Sequence, residues 1–123
     1  MFAEHLTEER NSSGRSVIVH ADFSADHILR VGDTASGVID WGDVSLGDSD
    51  YDFNYLYEEF GELFVREMAT CYGHPDPIRL VRKARYFSIA DQIGTILYGG
   101  DDALPGDIEG SWEMLRTLLN EAT

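Results

Sequence analysis

Hydrophobic and polar positions alternate differently in the two halves of this 123-residue chain. Up to about residue 47 the apolar residues come in short β-branched runs separated by turn residues, the pattern of strands. Ser16 to His20 reads as a strand, and residues 2–10 before it as a short helix ended by Asn11-Ser12-Ser13-Gly14. Ile28–Val31 and Ser36–Ile39 read as a hairpin around Gly32-Asp33-Thr34-Ala35. A tight turn centred on Asp33-Thr34 sets Val31 opposite Ser36, Ile28 opposite Ile39 and His27 opposite Asp40. Opposed residues of an antiparallel pair lie about 5 Å apart at Cα, so one metal ion would reach both His27 and Asp40.

From Asp48 onward the apolar spacing becomes helical. Asp48-Ser49-Asp50 predicts an N-cap for a helix from Tyr51 to Glu59. A second piece, Phe60 to Tyr72, places Leu63, Phe64, Met68 and Cys71 at helical spacing. Gly73-His74-Pro75-Asp76-Pro77 predicts a turn with Asp76 as cap and Pro77 in the first helical turn. Residues 77–98 follow as a long helix, with Ile78, Val81, Ala84 or Arg85, Ile89, Ile93 and Ile96 on one face. Gly99-Gly100 ends it. A last helix from about Asp107 to Glu121 presents Ile108, Trp112, Leu115, Leu118 and Leu119. The expected fold class is α+β and mostly α-helical, a single domain over residues 1–123 with a small β-hairpin at one edge.

The net charge is -14, from 23 acidic and nine basic residues. Such a chain repels nucleic acid and anionic membranes and attracts cationic ligands. No apolar run reaches the roughly 20 residues of a membrane span, and the N-terminus lacks the order of a signal peptide. Cytoplasmic localisation is the expectation. Cys71 is the lone cysteine, which excludes an internal disulfide and predicts a buried structural thiol.

The chemistry concentrates in His20-Ala21-Asp22-Phe23-Ser24-Ala25-Asp26-His27 and in Ile39-Asp40-Trp41. Asp22, His27 and Asp40 all fall at strand ends, where polar groups can converge. Phosphoryl transfer needs an oriented nucleophile, a group to take its proton and Mg²⁺ to neutralise phosphate charge. Asp22 suits the proton acceptor, and His27 with Asp40 suits the metal. The same residues could also be turn caps. Asp33 reads as a turn residue, His20 as a satisfied structural histidine, Trp41 as packing beneath the site and Trp112 as core. His5 and His74 are given no role.

These residues carry a resemblance. HADFSADHIL followed by GVIDWGDVSLGDSDYDF resembles the catalytic loop and metal-binding segment of the aminoglycoside phosphotransferase family, a branch of the protein-kinase-like fold. That pattern runs His-Gly-Asp-Leu, three variable positions, Asn-Ile-Leu, then Ile-Asp-Trp or Ile-Asp-Phe, Gly-Asp-Pro and a later Asp. The resemblance implies the C-terminal lobe of a kinase-like phosphotransferase and transfer of a phosphoryl group from ATP or GTP to a hydroxyl of an aminoglycoside or similar small molecule. It also implies Asp22 as catalytic aspartate, Asp40 as Mg²⁺ ligand, and His20 and Asp52 as structural supports of the catalytic loop. Ala21 stands where the family has Gly. His27 stands where it has Asn, and the 2''-phosphotransferase subgroup is similar to this chain in having His there. Asp43, Asp48, Glu58 and Glu59 are the candidate contacts of a cationic acceptor; Asp43 reads equally as the cap of the following turn, and Asp48, like Asp50, reads first as a cap.

In this fold the nucleotide-covering loop and strand lysine precede the catalytic loop. Here 19 residues precede His20, and they hold neither feature. The expectation is that the nucleotide-binding N-terminal lobe is absent, that activity of the lone chain is incomplete, and that exposed apolar surface drives formation of a homodimer. Two other function classes stay open: a non-catalytic acidic module binding a cationic small molecule, and a metal-dependent phosphohydrolase using Asp22, His27 and Asp40.

Overall fold

A computed structural model describes residues 16–99 and 105–120. The predicted helix at 2–10, and His5 with it, lie outside the described residues. The elements run β1 (Val17–Val19), β2 (Ile28–Val31), β3 (Thr34–Val38), β4 (Ser45–Gly47), α1 (Asn54–Phe60), α2 (Glu62–Tyr72), α3 (Pro77–Tyr98) and α4 (Pro105–Asn120). Two 3-10 turns, Ala25–His27 and Ser49–Phe53, precede β2 and α1. The mostly helical α+β class expected from the sequence is the class observed, and the helices form the body on which two antiparallel ribbons sit.

β1 pairs with β4, placing Ile18 opposite Leu46. β4 was not among the expected strands, because Ser45-Leu46-Gly47 holds one apolar residue and no alternation. The hairpin register differs from the expected one. Val31 faces Thr34 and Ile28 faces Val38, with a bulge after Leu29. The reason is Gly32, whose φ of 59° suits a two-residue turn whose backbone twist matches that of the strands. The turn therefore sits at Gly32-Asp33 rather than at Asp33-Thr34, and the bulge absorbs one residue of β3. The amide of Ile39 then donates to the His27 carbonyl at 2.9 Å. Asp40 lies one residue beyond the partner of His27, on a left-handed backbone with φ 63°.

The predicted helix from Tyr51 to Glu59 begins instead as a 3-10 turn at Ser49 and becomes α-helical only at Asn54. Ser and Asp side chains compete for backbone groups and favour such tight turns. Asp48 caps the turn as expected, accepting from the Asp50 amide. Gly61, at φ 85°, separates α1 from α2 in a conformation that favours glycine.

In α2 the buried side chains are Val65 and Ala69, with Met68 partly covered. Leu63 is 75% exposed, Phe64 is at the surface and Cys71 is exposed. The expected face is therefore turned outward, and the structural-thiol reading of Cys71 is overturned. Close approach of α2 to its neighbours selects its small side chains rather than its largest ones. α3 spans the predicted residues, with Asp76 accepting from the Arg79 amide at 3.0 Å and Pro77 in its first turn. Leu80, Val81, Ala84 and Ile89 are buried, whereas Ile78 is exposed. α4 buries Ser111, Leu115 and Leu118, spaced by four and three residues. Trp112 lies off that stripe and is 47% exposed, so it is not the core residue expected. Arg85 donates through Nε and Nη2 to the Leu118 carbonyl at 3.1 and 2.7 Å, closing the C-terminal end of α4.

Phe53, Leu56, Tyr57, Val65, Leu80 and Leu118 are at the centre of one core. Each large apolar side chain fully buried there contributes about 1.5–3 kcal/mol over leaving it in water. No helix among the described residues is long and apolar enough to cross a membrane.

The exposure of Cys71 has a direct consequence. Cys71 should react stoichiometrically with a thiol reagent under native conditions, and Cys71→Ser should change unfolding free energy by less than about 0.5 kcal/mol. Labelling only after denaturant is added would contradict the exposed placement.

Candidate functional site

β1 delivers the chain to His20, which is buried. The next residue, Ala21, has φ 68°. A non-glycine residue in this region is disfavoured by about 1–2 kcal/mol, so something must hold it. The Asp52 carboxylate does so. Its Oδ2 accepts the His20 amide at 2.9 Å and its Oδ1 accepts the Ala21 amide at 2.8 Å. The His20 ring completes the brace. Its Nδ1 accepts from the Asp22 amide at 3.2 Å, so the proton sits on Nε2, which donates to the Ile39 carbonyl at 2.8 Å. One ring thus ties the segment before Asp22 to the segment before Asp40. Trp41 lies against this ring, 4.6 Å between centroids, and its Nε1 donates to the Val38 carbonyl. Trp41 is nonetheless half exposed.

The Ala25–His27 turn brings the His27 ring back over the loop. Its Nδ1 donates to the Asp22 backbone carbonyl at 2.7 Å. Its Nε2 lies 3.2 Å from the Asp40 carboxylate, and Nδ1 lies 3.7 Å from the Asp22 carboxylate. Ligand atoms of Asp22, His27 and Asp40 all fall within 4.8 Å of one another. The hydrogen bond to the Asp22 carbonyl raises the His27 pKa, with the charges of Asp22, Asp40 and Asp26 adding to it, while burial opposes the rise. The structure therefore brings these three residues together, although the hairpin register that does it is not the expected one.

The donor set suits a divalent cation. Two carboxylates supply hard oxygen ligands. A ligating imidazole ordinarily has its other nitrogen fixed by a carbonyl or carboxylate, and Nδ1 is fixed in that way here. Nε2 is left facing Asp40.

Beside this cluster lies an acidic wall formed by the turn before β4, α1 and α3. The Tyr55 hydroxyl is pushed up to about 12 by burial first, then by the charges of Asp91, Asp22, Glu58 and Asp43. Those four carboxylates therefore share one neighbourhood. Asp91 accepts from the Tyr51 hydroxyl at 2.9 Å and from Asn54 Nδ2 at 2.6 Å. Glu58 accepts from Gln92 Nε2 at 2.9 Å. Burial raises both carboxyls above the usual carboxylate range. Glu59 is exposed and accepts from the Ala25 amide at 3.4 Å. Asp43 is exposed in the turn before β4.

Asp48 differs from the other expected acceptor contacts. Its carboxylate is bound at 2.6 Å by Lys83, which also binds Asp50 at 2.7 Å. Asp50 in turn meets His74 Nε2 at 3.0 Å. The structure thus engages Asp48, partly exposed, in an ion pair with the buried Lys83. Tyr55 and Asp91 were not singled out from the sequence, and Lys83 and His74 were given no role there. Lys83 carried a usable signal, being the only lysine and falling within the apolar stripe Leu80-Val81-Ala84.

Residues 2–82 match the model of the phosphotransferase enzyme family. The chain belongs to this family. Solved structures agree. The GDP complex of wild-type aminoglycoside 2'-phosphotransferase-IIIa is 28% identical with a TM-score of 0.79, over 99% of this chain and 45% of that one. The GDP and kanamycin complex of APH(2'')-IIIa is 29% identical with a TM-score of 0.77, over 99% and 45%. ADP-bound APH(2'')-Ib is 30% identical with a TM-score of 0.62, over 94% and 44%. The chain therefore has the kinase-like fold of the aminoglycoside phosphotransferases over less than half the length of those proteins.

The raised Asp91 carboxyl predicts a pH dependence. A carboxyl raised in the folded state contributes stability that is fully present below its unfolded pKa, about 3.9, and lost as pH rises through the folded value. Asp91→Asn removes that loss. Urea unfolding should therefore show the variant gaining on wild type as pH rises from about 4. A stability difference that stays constant over that rise, or that moves the other way, would sink the assignment.

Proposed function

We propose that this chain supplies the catalytic half of a site that transfers a phosphoryl group from a nucleoside triphosphate to a hydroxyl of a cationic small molecule of the aminoglycoside class. The single observation that carries the reading is the convergence of Asp22, His27 and Asp40 within 4.8 Å on a loop braced by Asp52.

On this reading Asp22 is the catalytic aspartate. As the acceptor oxygen bonds to the γ-phosphorus, its proton passes to the Asp22 carboxylate and the nucleoside diphosphate leaves. Asp40 and His27 would hold Mg²⁺, which neutralises phosphate charge when bound. His20 and Asp52 keep the loop in place. The fixed orientation of these groups lowers the reorganisation needed during transfer, the main source of catalysis in this reaction class. Asp43, Glu58, Glu59 and Asp91 form the acidic wall for the acceptor. Ammonium groups on the acceptor would lower the cost of the carboxylates crowded around Tyr55. The relatives that match were solved with GDP, ADP and kanamycin, which supports a nucleotide donor and a polycationic acceptor.

Calorimetric titration tests this. Mg²⁺ with ADP or GDP should bind the chain, Asp40→Ala should weaken that binding at least tenfold, and Asp22→Ala should leave it within threefold. Binding of kanamycin without any nucleotide binding would favour a sequestering module, and loss of the Asp40 dependence would remove the metal assignment.

The same reading addresses the exposed apolar ribbon. Ile18 and Leu46, opposite each other on β1 and β4, are 72% and 74% exposed. Apolar surface of this kind on a globular protein marks an interface, and self-association as a homodimer is the expectation. Sedimentation should show a mass that rises with concentration and falls back in Ile18→Lys; a monomer mass at all concentrations would refute it.

A further inference from the structure

The Asp22 loop is held by Asp52, but Asp52 belongs to a short 3-10 turn, Ser49–Phe53, that has little intrinsic stability. Something must hold the turn. α3 pins it and the helix that follows at three levels along its length. Lys83 binds Asp48 and Asp50 at 2.6 and 2.7 Å. Ser88 Oγ donates to the Asn54 carbonyl at 3.0 Å, and Asp91 receives Tyr51 and Asn54. Gln92 donates to Glu58. Only the first of these is ionic, and it grips Asp48 and Asp50, the two carboxylates that lead into Tyr51 and Asp52.

The ion group is nearly dry. Lys83 is 2% exposed and Asp50 5%. His74, on the loop between α2 and α3, closes the far side of Asp50 at 3.0 Å, and its Nδ1 accepts from the Asp76 amide. Burying the Lys83 and Asp50 charges, with Asp48 partly covered beside them, is poor economy for stability alone, because apolar side chains of similar volume generally serve as well or better. What the charges do supply is position. Two short bonds to one ammonium fix where Asp48 and Asp50 stand relative to α3, and therefore where the Asp52 carboxylate stands relative to His20 and Ala21.

We propose that Lys83 is a positioning residue for the Asp22 loop, acting through Asp48, Asp50 and Asp52. The path has four steps: Lys83 Nζ to the two carboxylates, the 3-10 turn to Asp52, Asp52 to the His20 and Ala21 amides, and the left-handed Ala21 to Asp22. What the loop is positioned for rests on the phosphoryl-transfer reading, whereas the coupling itself does not.

Amide hydrogen exchange on the whole chain tests the coupling without any activity. In Lys83→Met the amides of His20 and Ala21 should exchange at least tenfold faster relative to wild type than do the core amides of Ala69 and Ile89. Lys83→Met leaves Asp50 a buried carboxylate without its cation. Lys83→Met/Asp50→Asn removes the two charges together and serves if the single variant does not fold. The same selective loss at His20 and Ala21 is expected there. Uniform acceleration at all four amides would mean that Lys83 only stabilises the fold, and unchanged exchange at His20 and Ala21 would mean that the loop is held without it. Either result overturns the proposal. Because the titrations with nucleotide read a different property, failure of the phosphoryl-transfer reading would show there while the exchange pattern stood.

Discussion

Asp52 accepts two consecutive backbone amides, those of His20 and Ala21, from a segment more than thirty residues earlier in the chain. Each oxygen takes one N–H, and hydrogen bonds to a charged acceptor are about twice as strong as neutral ones. The bidentate grip is what allows Ala21 to remain at a positive φ, and that backbone excursion is what aims the chain at Asp22. The His20 ring extends the same constraint sideways to Ile39, so the segments ending at Asp22 and Asp40 cannot shift independently. The site is thus held by backbone groups and a carboxylate, while the residues it presents remain open to solvent.

Much of this was legible from residue order. Helix α3 and its cap followed from Asp76-Pro77 and the Gly that ends it, because these signals act locally. The convergence of Asp22, His27 and Asp40 followed from strand ends and was reinforced by a long motif. What failed were features decided by tertiary contact. The buried face of α2 depends on which side chains are small enough for close approach, so Val65 and Ala69 won over Leu63 and Phe64. Trp112 sits one position off a stripe that Ser111 shares with Leu115 and Leu118. The hairpin register turned on the backbone freedom of Gly32, and with the bulge it set Ile39, rather than Asp40, opposite His27. Lys83, the sole lysine, received no role because a single charge within an apolar stripe gives no sign of where its counter-ions lie in sequence.

The electrostatic organisation follows the same division. Acidic side chains of the 48–52 segment are consumed internally, by a cap, an ammonium and two amides. Those of the wall, Glu58 and Asp91, are crowded and half-buried, and burial opposes their ionisation. The net charge of -14 is therefore not spread evenly in its effect. Near Tyr55 it produces a concentrated negative field in partly desolvated surroundings, where Coulomb interactions are stronger than at an open surface. Elsewhere it does no more than keep the protein apart from other anions.

The burial of Lys83 also has a chemical consequence. It is the only lysine in the sequence, and its ammonium is enclosed by two carboxylates. A protonated amine held in this way is a poor nucleophile, and acylating reagents cannot reach it. The folded protein thus offers no side-chain amine to acetylation or to amine-directed coupling. Acylation at Lys83 would record that the clamp had opened, which makes this residue a built-in reporter of the order around it.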